Sequence, residues 1–209
     1  MASAGLLARS FYLLMHIDIG FRPDHLLAIA ASWAPGRYPT DPETIRLERR
    51  IIDDLSRLPG VRSVAISNAP PIDSAWGTSS FHVVGRPNHG ENQEVLNRHV
   101  SASYFNVLQA RLLRGRHLSD YEDTSKPLVV IVNRTLAQKY FAGDNPVGKQ
   151  IYYDGHPQAP MQIVGVVDDI KEGPLAGATW PAVYVPFTQT PWAWPAILVR
   201  SPPVNLARS

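Results

Sequence analysis

Cysteine is absent from the 209 residues, which excludes disulfides, thiolate nucleophiles and cysteine-ligated zinc. A chain without thiols suits the cytoplasm or an oxidising space equally, so the compartment stays open. Uninterrupted apolar runs long enough to cross a bilayer are also missing. The N-terminal "MASAGLLARSFYLLM" sets Leu6, Leu7, Phe11 and Leu14 at helical spacing, but it is short and Arg9 interrupts it. It has neither the basic start nor the small-residue cleavage site of a signal peptide. Two readings of it stand: an amphipathic helix on its own domain, or the tail of a membrane helix with Arg9 at the interface. Charge is sparse, with 18% charged residues and a net charge of +2. The basic residues are scattered, so a pI near 9.0 does not signal nucleic acid. Catalytic signatures are wanting too: there is no H-E-x-x-H, no H-x-x-x-H, no G-x-S-x-G and no Ser-x-x-Lys.

What is there is 44% hydrophobic, enough for a core, and 19 prolines, which favour short elements and rigid turns. "LLAIAASW" (26–33) has strand length. Thr40 or Asp41 caps a helix with Pro42 in its first turn. Ile45, Ile51, Ile52, Leu55 and Leu58 follow at helical spacing, Arg and Glu take the other face, and Pro59-Gly60 stops the helix. "VRSVAISNA" (61–69) alternates as a strand, completing a β-α-β unit. Strands are then expected at 80–85, 94–101, 127–133, 149–154, 161–170, 182–187 and 196–200. Short helical segments are expected at 101–108, with Tyr104, Phe105 and Leu108 in the core, and at 134–141. "ARLLRGRHLSDYED" reads as a loop carrying Arg114 and Arg116. The near-continuous Val/Ile runs of 127–133 and 161–169 predict strands of one sheet, buried on both faces.

Few residues offer chemistry. "AGDNPVGKQ" (142–150) begins like a phosphate loop, with Gly143, Gly148 and Lys149, but Gln150 stands where Ser or Thr should hold magnesium. A helix precedes these glycines and a strand follows, the reverse of a phosphate loop, and Pro146 removes an N–H. ATP binding is not expected. His82 and His99 could meet across neighbouring strands, yet no third ligand accompanies them, so no metal is assigned. Asp168-Asp169 are read as loop caps, and Arg114 and Arg116 as ion-pair partners of Asp120, Glu122 or Asp123. Trp76, Trp180, Trp192 and Trp194 all fall in Pro/Gly-rich loops and are the candidate partner contacts.

Several stretches together carry a resemblance. In order they are "GLLARSF", "DIGFRPDHLL", "LPGVRSVAISNAPPI", "FHVVGRP", "VSASYFNVLQARLLRGRHLSDYED", "VVIVNRTLAQKYFAGDNPVGKQI", "QIVGVVDDIK", "AVYVPF" and "LVRS". From about residue 5 to residue 203 the chain resembles the MacB-like periplasmic core domain of ABC-transporter permeases, especially the duplicated permeases of acidobacteria.

The resemblance implies an α+β fold: a porter-like split β-α-β subdomain with an inserted mixed α/β, sabre-like subdomain. Residues 1–22 are then the end of a membrane helix and its juxtamembrane segment. Residues 23–72 and 188–209 make the porter-like part, and 73–187 the inserted one. The strand at 196–200 is expected between 26–33 and 61–69, antiparallel to both. The family continues past "LVRS" with a helix and strand, so strand 26–33 is expected as an open, self-associating edge.

The implied function is non-enzymatic, without cofactor or metal. It is the extracytoplasmic, periplasmic-side domain of an inner-membrane permease, coupling cytoplasmic ATP hydrolysis to export or lipoprotein/lipid handling. Its partners are the membrane, through helices outside the chain, a cytoplasmic ABC ATPase, and an adaptor or second permease domain; nucleic acid is not among them. The alternative is a stand-alone secreted small-ligand-binding protein or hydrolase.

Overall fold

The short apolar runs "SVAIS" and "AILVR", set against the 3.6-residue period of "TIRLERRIIDDL", decide which segments extend and which coil. A computed structural model describes residues 9, 17–32, 41–73, 77–87, 93–175, 177–192 and 194–202. The stripe Leu6, Leu7, Phe11 and Leu14, the Thr40 cap and Trp76 lie outside the described residues. The fold is mixed α+β with few helices and many strands. The described strands are β1 (Leu26–Ala30), β2 (Ser63–Ser67), β3 (Thr78–Val83), β4 (Glu94–Val100), β5 (Leu112–Gly115), β6 (Val129–Asn133), β7 (Gln150–Tyr153), β8 (Met161–Val167), β9 (Ala182–Pro186) and β10 (Ala196–Arg200). The helices are α1 (Asp41–Ser56), α2 (Tyr104–Leu108) and α3 (Arg134–Tyr140).

β10 lies between β1 and β2, antiparallel to both, with Ile197 opposite Ile29 on one side and Ile66 on the other. That is the order expected of a split β-α-β unit. α1 covers one face, packing Ile51, Ile52 and Leu55 on Val64, Ile66 and Ile197. Two residues of the expected stripe pattern change places. Leu58 lies beyond the helix, which ends at Ser56, and is 50% exposed. Glu48, expected on the polar face, is buried, because its spacing from Thr44, Ile51 and Ile52 puts it on the packed side. The opposite face of β2 and β10 gives Ala65 and Leu198 to a larger core shared with α2. Ser101 and Ser103 tie α2 down, Ser101 Oγ accepting from the Ile66 N–H at 3.0 Å and Ser103 Oγ donating to the Val64 carbonyl at 2.7 Å.

Beyond the single β2–β4 pair, Ser67 opposite Val100, six strands close on themselves. Pairing runs β4–β3–β7–β8–β6–β9 and back to β4. Such closure removes sheet edges within the ring. Alternate residues of β6 and β9 feed different cores. Val130, Val132, Val183 and Val185 join Phe81, Ile151 and Leu136, while Val129, Ile131, Ala182 and Tyr184 join Phe105, Leu108 and Leu198. β6 and β8 are parallel neighbours in one sheet and buried on both faces, as their unbroken apolar runs predict.

The segment expected as a loop around Arg114 contains β5, which pairs antiparallel with β8. Two glycines permit it. Gly115 has φ +74, and a Cβ there would stand 2.2 Å from the Val164 carbonyl oxygen; its partner Gly165 leaves the same close approach free. Interspersed arginines hid a strand that only a missing side chain lets in.

Candidate functional site

The glycine turn after α3 is spent on its own chain. The Gly148 N–H donates to Ile163 O at 2.8 Å, Lys149 N–H to Pro146 O at 3.0 Å, and Val147 N–H to Asn145 Oδ1 at 3.2 Å. Asp144 N–H donates to Phe141 O at 2.7 Å. Four of the turn's N–H groups are thus engaged within the chain, and Pro146 has none to offer. A helix precedes the turn and β7 follows it, as read from the sequence.

His82 and His99 do not meet. β3 and β4 pair with Ser80 opposite Glu94, a register that carries His82 away from His99. His82 Nε2 lies 3.0 Å from Asp154 Oδ1. His99 serves a different place, described below. Among the described residues no group of three or more His, Cys, Asp or Glu is arranged for a metal.

Asp168 and Asp169 follow β8 and act on the start of α3. Asp169 accepts from Thr135 N and Thr135 Oγ1, both at 2.9 Å. Asp168 pairs with Arg111 at 3.0 Å and Arg134 at 2.6 Å. Both aspartates therefore cap and anchor, in line with the sequence reading. Arg116 reaches Glu122 at 2.6 Å, one of the pairings expected of it. Asn133 is a hub that sequence reasoning passed over: its Oδ1 accepts from Leu136 N and Ala182 N, and its Nδ2 donates to Trp180 O. An Asn at a strand-to-helix junction was the available signal.

The tryptophans divide. Trp192 and Trp194 lie on the loop between β9 and β10, 43% and 58% exposed. Trp180 lines a separate depression with Glu94, Lys139 and Pro181. Trp192 and Trp194 border a groove of about 630 Å³ with Asn68, Asn97, Thr78, Ser79 and His99. The loop is held at its start by Gln189, whose side chain takes the Val129 N–H and donates to the Asp123 and Pro127 carbonyls. His99 Nδ1 lies 2.7 Å from Thr190 O, and its ring stacks on Trp192 with centroids 5.2 Å apart. A carbonyl only accepts, so Nδ1 carries the proton and Nε2 is left as an acceptor. Burial holds His99 below the ordinary imidazole pKa, the nearby Arg98 acts the same way, and the bond to Thr190 opposes them. Asn68 extends the β2–β4 junction, its Nδ2 donating to Asn97 O and its Oδ1 accepting from His99 N, both at 3.2 Å. Asn97 Oδ1 accepts from the Tyr153 hydroxyl at 2.9 Å.

Beneath the groove lies a buried ionic cluster. Arg98 Nε donates to Glu172 Oε2 at 3.0 Å, while the Tyr184 and Tyr104 hydroxyls donate to Oε1 at 2.9 and 3.4 Å. Burial first, then the Glu172 carboxylate, raise both tyrosines well above the ordinary phenol pKa. With every oxygen engaged, the cluster is a fixed joint between β4, α2 and β9.

A second joint gathers the first and last described segments. Arg200, at the end of β10, donates to the carbonyls of Arg22, Asp24 and Val107. Ser201 N–H donates to His25 O and Arg22 N–H to Leu108 O, both at 3.0 Å. Gly20, with φ +75, presses against the Asp169 carbonyl where no Cβ would fit. Residues 19–25 thus enter beside the strand by which the chain leaves.

The profile of the "MacB-like periplasmic core domain" family matches residues 8–207. The macrolide export ATP-binding/permease protein MacB of Aggregatibacter actinomycetemcomitans is 28% identical over 78 residues, which are 37% of this chain and 12% of that protein. The protein of that name from Neisseria meningitidis serogroup A is 25% identical over 133 residues, 64% of this chain and 19% of that protein. The aligned stretches thus span less than a fifth of these relatives' length. The crystal structure of the periplasmic region of MacB from Actinobacillus actinomycetemcomitans superposes with a TM-score of 0.57 at 18% identity, covering 93% of this chain and 83% of that one.

Proposed function

The chain belongs to the MacB-like periplasmic core domain family, and from that premise we propose that it is the extracytoplasmic domain of an ABC-transporter permease, a mechanical element without chemistry of its own. Its work is to pass motion driven by cytoplasmic ATP hydrolysis to partners or cargo outside the membrane, in export or in lipoprotein and lipid handling. Among the described residues no helix is long and apolar enough to cross a membrane, so the spanning helices are assigned to the flanks of the domain.

The observation that supports this reading is the Arg200 clasp. Residues 19–25 and β10 leave the fold side by side, joined through one guanidinium. A domain hung from two membrane helices at adjacent points feels any relative displacement of those helices directly. Rigid packing then carries that displacement to the far end. In this proposal residues 23–72 and 188–209 form the porter-like part at the attachment, and 73–187 the sabre-like insertion. Residues 1–22 belong to the membrane helix and its exit. Trp192 and Trp194 form the contact face for partner or cargo, and Trp76 and Trp180 are secondary candidates.

The test uses the full-length permease. This chain contains no cysteine, so Ser79→Cys in a permease stripped of any cysteine elsewhere can be labelled from outside intact cells, or from the periplasm after outer-membrane permeabilisation. Arg200→Ala is expected to leave ATP hydrolysis running while export falls. Labelling only from the cytoplasmic side would refute the location. Unchanged export would refute the coupling route.

A further inference from the structure

The groove beside Trp192 and Trp194 has a composition that mechanical transmission does not need. Large aromatic surface left in water is unusual unless something covers it, and both indoles are partly exposed. Among the described residues Trp192 has one ring neighbour, His99, tilted by 32° at a centroid distance of 5.2 Å. The polar atoms around these rings are neutral and not exhausted. Asn97 Nδ2 has no described partner, Asn68 Nδ2 uses one hydrogen on Asn97 O, and His99 Nε2 is an open acceptor. Thr78 and Ser79 add hydroxyls at the rim. Arg98, the one charged residue of the lining, is buried and bound to Glu172.

A site with this inventory selects its ligand by exclusion. Without an uncompensated charge it gives no advantage to phosphates, carboxylates or amines. A purely apolar ligand would strand the amide donors and the imidazole acceptor, which is costly. The chemistry that satisfies both halves is a flat ring with C–H groups on its face and hydroxyl or acetamido groups on its edge. We propose that this groove is a saccharide-binding site, with the indole of Trp194 or Trp192 as the stacking platform and Asn97, Asn68 and His99 taking hydroxyls. Its volume of about 630 Å³ suits a short oligosaccharide rather than one ring. The inference deepens the contact-face reading above: the partner or cargo presents a neutral glycan.

Titration of the purified chain with chitotriose and with maltotriose, followed by tryptophan fluorescence and calorimetry, is the direct test. Saturable binding of at least one is expected. Trp194→Ala, a change at an exposed ring, is expected to weaken it about tenfold, the equivalent of about 1.4 kcal/mol, with unchanged melting. Asn97→Asp provides a second reading through the hydrogen bonds, since a charged acceptor in place of the amide donor should also weaken binding. No saturation with either sugar, or binding indifferent to both variants, would overturn the proposal. A fluorescence response to phosphatidylcholine–phosphatidylglycerol vesicles but not to sugars would make the tryptophans a lipid anchor and overturn it as well. Sugar binding that is lost in Trp194→Ala while export by the full permease persists upholds the saccharide site and removes the contact-face reading. Export lost in Trp194→Ala, without sugar binding by the unmodified chain, does the reverse.

Discussion

Glu48 fills a helix position that its neighbours reserve for packing. It is fully buried on α1, neither carboxylate oxygen has a described partner, and burial pushes its pKa from 4.5 to about 8. Between those values the folded protein holds a proton that the unfolded chain releases, so stability falls as pH rises through the window and levels off above it. Glu48→Gln removes this dependence. Urea titrations below and above the window should show a gap opening in the variant's favour, of the order of a few kcal/mol. A gap that stays constant with pH would mean that the charged carboxylate finds a partner. Arg98 and Glu172 behave differently, because each already has one. Arg98→Met leaves Glu172 buried and uncompensated and should cost about 3–5 kcal/mol. Adding Glu172→Gln should restore part of that loss, and equal destabilisation of single and double variants would show that the two are not coupled.

Strands β6 and β8 are the elements on which the ring depends. Val130 is inaccessible and Val164 is 8% exposed, and they face different cores. Val130→Asp or Val164→Asp places an unpaired charge in one core, at a cost of several kcal/mol against a total stability of about 5–15 kcal/mol. Neither variant is expected to accumulate in soluble form, and normal melting of both would contradict the two-core assignment. β1 stands at the other extreme. No described strand pairs with its outer side, and Leu27 and Ile29 are 57% and 43% exposed on the α1 face. An apolar open edge recruits other chains. Concentration-dependent self-association is expected in sedimentation equilibrium, and Ile29→Lys should abolish it. Association that survives Ile29→Lys uses another surface.

For the whole molecule, the question is whether the two proposed parts fold separately. β2 and β4 share one residue pair, which alone is a weak seam. The larger core nevertheless draws Ala65 and Leu198 from the three-stranded side and Leu96, Ile131 and Tyr184 from the ring. A shared core cannot be half dissolved without exposing apolar surface on both sides. Unfolding should therefore be one transition, with tryptophan fluorescence and far-ultraviolet circular dichroism tracing the same denaturant curve. Two separated midpoints would identify independent units.

Local chemistry decided much of this protein before any fold existed. Short apolar runs, alternating at 61–69 and near-continuous at 127–133, placed nine of the ten described strands. The lettering around Gly143 and Gly148, with Gln150, Pro146 and the inverted element order, argued against a nucleotide loop, and the ordered run of short stretches pointed to the family. β5 was not legible, since its pairing rests on two glycines about fifty residues apart meeting face to face. The same holds for closure of the ring, the Arg98–Glu172 joint, the Arg200 clasp, and the choice of Trp192 and Trp194 over Trp180 as groove walls. Each of these is a relation between residues distant in the chain, created by strand register. Register is settled by packing energy summed over the whole molecule, and no single stretch of sequence contains it.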